Sequence, residues 1–346
     1  MRKARENKEY VEKELPYRLL SEMYKDSRRS LKELGRELHI SYHTISHTLS
    51  QLEEKYKLAY TLDLDIRKLG FSDGVIVTIK FEERPDFEYL KHRFEKDTFV
   101  QDAYLGEGDF DIFLYVVGLT PQDLIMWQWN LRVELRKYRP ILRISIVEAS
   151  IMGFFPIRNP LIEISERLSP SEKKILKGLN DDSRAKLKEL VLKSKTTQMK
   201  AIYAIQKLKR EQVIRKFTCL TQEPSKRIFL AFAINFLPNE NHKKKLAVLW
   251  DTLVKEDLHA STSDYSLICD NVGAYDTVHI CTFENGERLS TNGPDLHKSL
   301  FSEESPKIER SVLTGVLVGK WPFHLDDYEF FRKESVKLGV EDGSTA

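Results

Sequence analysis

The chain has 346 residues, with 55 Lys and Arg set against 53 Asp and Glu, for a formal net charge of +2. This length suits two to three domains, each able to bury its own core. A balanced overall charge does not announce a nucleic-acid or membrane partner, so the distribution of charge has to be read instead. The three cysteines, Cys219, Cys269 and Cys281, form no CxxC pair; their number and spacing argue against a disulfide framework or a cysteine zinc site, and for a reducing compartment. The N-terminus lacks the apolar core of a signal peptide, and no apolar run approaches the roughly 20 residues that span a bilayer. A soluble, cytoplasmic protein without a membrane partner is expected.

Taken in chain order, LPYRLLSEMYK (15–25) has apolar residues at helical spacing. A second short helix follows in SLKELGRELH, with Ser30 as its N-cap. Ser41 can cap a third, YHTISHTLSQLEEKY, whose inward stripe is Ile45, Leu49, Leu52 and Tyr56. KLAYTLDLDIRKLG then supplies a small strand, completing a winged helix-turn-helix unit. Further on, GVIVTIKF reads as a buried strand, DFEYLKHRFEKD as a helix, and FVQDAYLGEGDFDIFLYVVG as a hairpin broken at Gly106, Gly108 and Asp109. TPQDLIMWQWNLRVELRKY is a helix with Pro121 in its first turn, and ILRISIVEASIMGFFP a last strand. The order β-α-β-β-α-β is that of a ferredoxin-like domain.

The plan then repeats. DSRRSLKEL (26–34) and DSRAKLKEL (182–190) agree at seven of nine letters, 156 positions apart. SPSEKKILKGL, KLKELVLKS and TTQMKAIYAIQKLKREQVI form a second trio of helices, with Ala201, Ile205 and Leu208 at the same offset from Ile45, Leu49 and Leu52, and RKFTCLTQ matches the wing. RIFLAFAINF, HKKKLAVLWDTLVKE, LHASTSDYSLIC, YDTVHICTF, a less regular helix near 296–301 and KIERSVLTGVLVGKWPF make a second βαββαβ round. GAYD (273–276) corresponds to GDFD (108–111). The expected class is α+β, a tandem repeat: winged helix-turn-helix 1 with an N-terminal extension at 1–67, ferredoxin-like domain 1 at 68–160, winged helix-turn-helix 2 at 161–225, ferredoxin-like domain 2 at 226–325 and a tail at 326–346.

A winged helix-turn-helix, a linking strand and a βαββαβ domain with G-x-D-F/Y-D at its hairpin resemble the Lrp/AsnC family over roughly residues 15–325. The resemblance implies a bacterial or archaeal DNA-binding transcription regulator, whose ferredoxin-like domains pair and bind amino acids or other small effectors. A tandem chain then suggests an intramolecular pseudo-dimer with its two sheets face to face; further homo-oligomerisation is also expected. The same fold family includes enzymes acting on modified tetrapyrroles. That is the alternative reading, with His279, Arg143 and Arg288 as isolated candidates and no recognisable catalytic constellation. A nonspecific architectural DNA-binding protein is the third.

Outward residues of a recognition helix must reach base edges and phosphates. In the first unit these are Tyr42, His43, Thr44, Ser46, His47 and Ser50, with Arg28 and Arg29 as phosphate contacts; in the second they are Lys195, Thr196, Thr197, Gln198, Lys200, Tyr203 and Lys207. Residues 168–217 carry fourteen Lys and Arg against five Asp and Glu, the electrostatic footprint of phosphate binding. The second unit is therefore expected to supply more affinity, with Thr197 and Gln198 reading bases. His39, His43 and His47 fall at i, i+4, i+8, but no carboxylate or cysteine completes a metal site. Gly106, Gly108, Asp109 and Asp111 are the candidate effector residues: the glycines permit close approach and the carboxylates would pair an ammonium. No cofactor and no catalytic or metal-ligating residue is expected. Trp127, Trp129, Trp250 and Trp321 are expected in the core or at interfaces.

Overall fold

The computed structural model describes residues 15–118, 120–152, 155–221, 228–235, 265–283 and 307–319. In chain order its main elements are α1 (Leu15–Lys25), α2 (Leu31–Glu37), α3 (Tyr42–Tyr56), β1 (Leu58–Leu64), β2 (Val75–Lys80), α4 (Phe87–Glu95), β3 (Val100–Gly108), β4 (Ile112–Val116), α5 (Pro121–Glu134), β5 (Ile141–Met152), α6 (Asn159–Ile164), α7 (Pro170–Asp181), α8 (Leu187–Ser194), α9 (Gln198–Arg210), β6 (Ile214–Thr221), β7 (Ile228–Asn235), β8 (Tyr265–Gly273), β9 (Thr277–Phe283) and β10 (Lys307–Val318). The helices expected at 242–256 and near 296–301, together with Trp250, Trp321, Arg288 and both chain ends, lie outside the described residues.

Local chemistry explains the helical trios. Apolar residues at three- and four-residue spacing place Leu15, Leu19, Leu34, Ile45, Leu49 and Leu52 in one core, because positions so spaced share a helix face. Ser41 accepts from the Thr44 backbone N–H, and Thr197 does the same for Lys200, the same cap at the same 156 offset. Ser169 and Glu172 form a reciprocal capping box at the start of α7. The turn before each third helix puts a non-glycine residue in the left-handed region, His39 at φ 55° and Lys195 at φ 50°.

The wings do not stay within their own units. β1 pairs antiparallel with β6, from Leu58 opposite Thr221 to Leu64 opposite Ile214. Cys219 of β6 is buried in the core of α1–α3, while Leu62 and Leu64 of β1 join the core shared with α7–α9. Each trio is thus closed partly by the other half's strand.

Between the wings the two DSR segments meet. The Ser27 and Ser183 hydroxyls, 156 positions apart, are hydrogen-bonded at 2.6 Å in a buried site. Their own N–H groups donate to the opposite wing's course, Ser27 to the Phe217 carbonyl at 3.0 Å and Ser183 to the Tyr60 carbonyl at 3.2 Å. Arg28 lies over the Phe217 ring and Arg184 over the Tyr60 ring, centroids 5.3 and 4.9 Å away. Asp26 and Asp182 accept from the Arg28 and Arg184 N–H groups and shape the two turns alike.

The strands of the ferredoxin-like regions run in the orders β5-β2-β4-β3 and β10-β7-β9-β8, and β5–β8 and β10–β3 join them into one closed eight-stranded barrel. In place of the expected two separate sheets packed face to face, the described strands close into one barrel, which pairs both edges that would otherwise invite aggregation. An eight-stranded barrel is just wide enough for side chains to fill; Tyr104, Phe110, Phe113, Ala231, Ala233 and Val278 belong to the core cluster that occupies it. α4 and α5 cover the outside of the first sheet through Leu90, Phe94, Trp127 and Leu131. Trp129, by contrast, is 63% exposed, so of the two places expected for it, core or interface, it does not take the core. The short α6, which the sequence pattern did not reveal, buries Leu161 and Ile162 against the barrel-side core.

Both seams use the same device. Ser311 lies opposite Gly108 and Ser145 opposite Gly273. A Cβ on Gly108 would fall 2.3 Å from the Arg310 carbonyl oxygen, and one on Gly273 2.6 Å from that of Ile144; the φ angles are +148° and +139°. Only glycine lets the backbones approach this closely. Phe110 N–H donates to Ser311 Oγ at 2.9 Å and Tyr275 N–H to Ser145 Oγ at 2.8 Å.

At the next matching register Arg143 of β5 pairs with Glu309 of β10, where Glu309 is buried and also accepts from the Tyr275 hydroxyl at 2.7 Å. The pair joins the halves through unlike charges. Reversing one partner, Arg143→Glu or Glu309→Arg, is expected to cost about 2 kcal/mol by setting like charges against each other, with position 309 buried and position 143 partly exposed. The double reversal should recover much of the loss in thermal or urea unfolding; a double variant as unstable as the sum of the singles would contradict the pairing.

Candidate nucleic-acid interface

The third helices of the two trios present the candidate readers. On α3, Tyr42, His43, His47 and Ser50 are exposed and Thr44 and Ser46 half-buried, while Ile45, Thr48 and Leu49 face inward. Tyr42 and His43 touch edge to face, with ring centroids 5.9 Å apart. On α9, Gln198, Lys200 and Tyr203 are exposed, with Lys195 and Thr197 exposed just before it and Thr196 half-buried. The helical period that buries Ala201, Ala204 and Leu208 turns these residues outward together.

Three expected phosphate contacts are otherwise engaged. Arg28 donates to the Ser183 carbonyl at 3.0 Å in the inter-wing contact. Arg29 is ion-paired with both Glu22 and Glu37. Lys207 pairs with Glu172 at 2.7 Å. Of the expected cationic contacts this leaves Lys195 and Lys200, which with Lys174, Ser169, Ser171, Ser194, Met199 and Tyr203 line an open groove of about 730 Å³. The starts of α7 and α9 border it, and helix N-termini favour anions. Met199 was not among the expected readers, although it stands 156 positions from His43 and is 76% exposed.

The hairpin proposed for an effector is occupied by the seam. Asp109 accepts from the Arg310 N–H at 2.8 Å. Asp111 accepts from the Phe81 N–H at 2.8 Å and pairs with Lys80 at 3.0 Å. A Cβ on Gly106 would lie 2.8 Å from the Phe110 carbonyl oxygen. A cavity of about 380 Å³ lies elsewhere, between β1 and the barrel, lined by Asp63, Asp65, Arg67, Tyr115, Phe155, Arg215 and their neighbours. Tyr115 and Phe155 stack along it at 3.8 Å. Burial raises the Asp63 carboxyl against the opposing pull of Arg215.

No family model matches the sequence. Over 112 residues, 32% of this chain and 76% of the relative, it is 29% identical to an uncharacterised HTH-type transcriptional regulator of Pyrococcus abyssi. A similar regulator of Pyrococcus furiosus is 26% identical over the same length, 75% of that relative. Among solved structures, the siroheme decarboxylase NirDL superposes with a TM-score of 0.58 over 93% of this chain and 99% of that one, at 13% identity. That likeness establishes a shared fold. The sequence relatives are transcription regulators. Among the described residues no helix is long and apolar enough to cross a membrane, and no group of three or more His, Cys, Asp or Glu is placed to hold a metal.

The Glu172 contact gives the second trio a pH dependence. Burial would raise its carboxyl, but hydrogen bonds from Lys207 and Ser169 outweigh that and hold it below the ordinary glutamate value. A depressed folded-state value stabilises fully above the unfolded value, near pH 4.5, and the contribution is lost as pH falls through the folded one. Thermal melts should therefore show Glu172→Gln losing less stability than the natural chain below about pH 4.5; parallel acid profiles would refute the role.

Proposed function

We propose that the chain is a fused duplicate of the Lrp/AsnC kind, a DNA-binding transcription regulator in which one polypeptide supplies both reading heads. The observation that carries this is the pair of matched, exposed third helices, each capped by a hydroxyl at the same offset, in two trios joined at Ser27–Ser183. The sequence likeness to HTH-type regulators supports it. Lys195 and Lys200 then make phosphate contacts beside Thr196, Thr197 and Gln198, while Tyr42, His43, Thr44, Ser46, His47 and Ser50 form the other head. Arg28, Arg29 and Lys207 act by holding the frame. A small effector such as an amino acid fits the cavity beside Tyr115 and Phe155 better than the Gly106–Asp111 hairpin. Amino acids should be screened for a rise in melting temperature, and no shift with any of them would count against an effector of that class.

A second reading has its own observation, the fold shared along 93% of the chain with a siroheme decarboxylase. It makes the protein tetrapyrrole-handling. Of its candidate residues, Arg143 is already paired with Glu309, and His279 lies in β9. A visible-band shift on siroheme titration would favour it over the regulator.

For the regulator, Lys195→Glu with Lys200→Glu should weaken binding to every duplex. The slope of log K against log salt should become shallower by about 2, one counterion released per lost phosphate contact. Unchanged affinity and slope in this double variant would refute the assignment.

A further inference from the structure

The two reading helices sit in matching frames but carry unlike chemistry. We propose that the chain recognises a non-palindromic duplex, with one half-site read by apolar contact between thymine methyl groups and the Met199 and Tyr203 side chains. This rests on the DNA-binding reading above and deepens it.

Met199 and Tyr203 are four residues apart on α9, 76% and 62% exposed, and so share one helix face. The core does not require them there, since Ala201, Ala204 and Leu208 already fill the inward positions. Leu192, near the end of the preceding helix, is 80% exposed as well. Large apolar groups left in water invite a partner that removes them from it. The flanking Lys195 and Lys200 identify that partner as a polyanion: lysine is depleted at protein–protein interfaces, whereas a DNA major groove is rimmed by phosphate and floored, at A·T pairs, by thymine C5-methyl groups. At the matching 156-offset positions of α3 stand His43 and His47, beside Tyr42, Thr44, Ser46 and Ser50. Each of these can exchange hydrogen bonds with base edges. A palindrome would offer both heads the same half-site, and one head would meet it with unsuitable chemistry.

The test begins with duplexes selected from a random pool by the full-length chain. The best duplex is then resynthesised with uracil for thymine in one half at a time, a change that removes only the methyl. The expected result is an asymmetric motif in which uracil in one half weakens binding roughly three- to fourfold per methyl contacted, while uracil in the other half has no effect. The Met199→Ala/Tyr203→Ser variant, whose altered side chains lie at the surface, should bind thymine and uracil duplexes equally and keep the natural salt slope. A palindromic motif, or uracil tolerated in both halves, would overturn the inference while leaving DNA binding intact. Equal thymine preference in the variant would also overturn it. Failure to retain any duplex even at low salt would remove the DNA-binding reading itself, and this inference with it.

Discussion

The contact between Ser27 and Ser183 orders the molecule, because it joins equivalent positions of two matched segments to each other. A residue can meet its own counterpart only near an axis that relates the two. The hydroxyl pair is worth little by itself, about 1 kcal/mol as a net hydrogen bond. Its surroundings give it weight: two arginines stacked on the opposite wings, two N–H groups bonded across, and the antiparallel β1–β6 ladder. Burial of the leucine-rich helical faces supplies the bulk of the stabilisation, and the polar contacts decide which surfaces are joined.

Unlike pairing appears at the barrel end of the same arrangement. Gly108 and Gly273 allow both seams to close by one geometry, so shape alone would let either half pair with a copy of itself. Arg143 and Glu309 occupy matching registers and carry opposite charge. Two copies of the first half would set arginine against arginine. Two of the second would set glutamate against glutamate. The opposite charges thus favour the two halves joining each other, while the exposed faces of α3 and α9 differ freely: lysine, methionine and tyrosine on one, histidine, serine and threonine on the other.

Much of this was legible in the chain because its causes are local. The stripe Ile45, Leu49, Leu52 and Tyr56 is buried as its spacing demands, Ser41 caps where a hydroxyl precedes an apolar run, and Pro121 opens its helix. What escaped depends on partners that only the folded arrangement of elements brings together. Nothing in RKFTCLTQ says that its ladder partner lies about 155 residues earlier. Arg28 and Arg29 read as free cations until the Ser183 carbonyl, Glu22 and Glu37 are brought to them. The glycine-rich hairpin suggested room for a ligand, and the room is filled by the backbone of β10. Met199 escaped for another reason: a lone methionine in a helix ordinarily packs inward, and only its neighbours' burial shows that this one does not.

The most direct test of an internal pairing is to replace Ser27 and Ser183 with cysteine and oxidise the full-length chain. Hydroxyl oxygens 2.6 Å apart leave the two β-carbons within reach of a disulfide of about 2.05 Å. Non-reducing electrophoresis, with mass analysis of the linked peptides, then reads the connection. A Ser27→Cys–Ser183→Cys cross-link within one chain, formed rapidly and in high yield at monomer mass, is the predicted result. Cross-linked dimers instead, or two cysteines that stay reduced and reactive, would contradict the account.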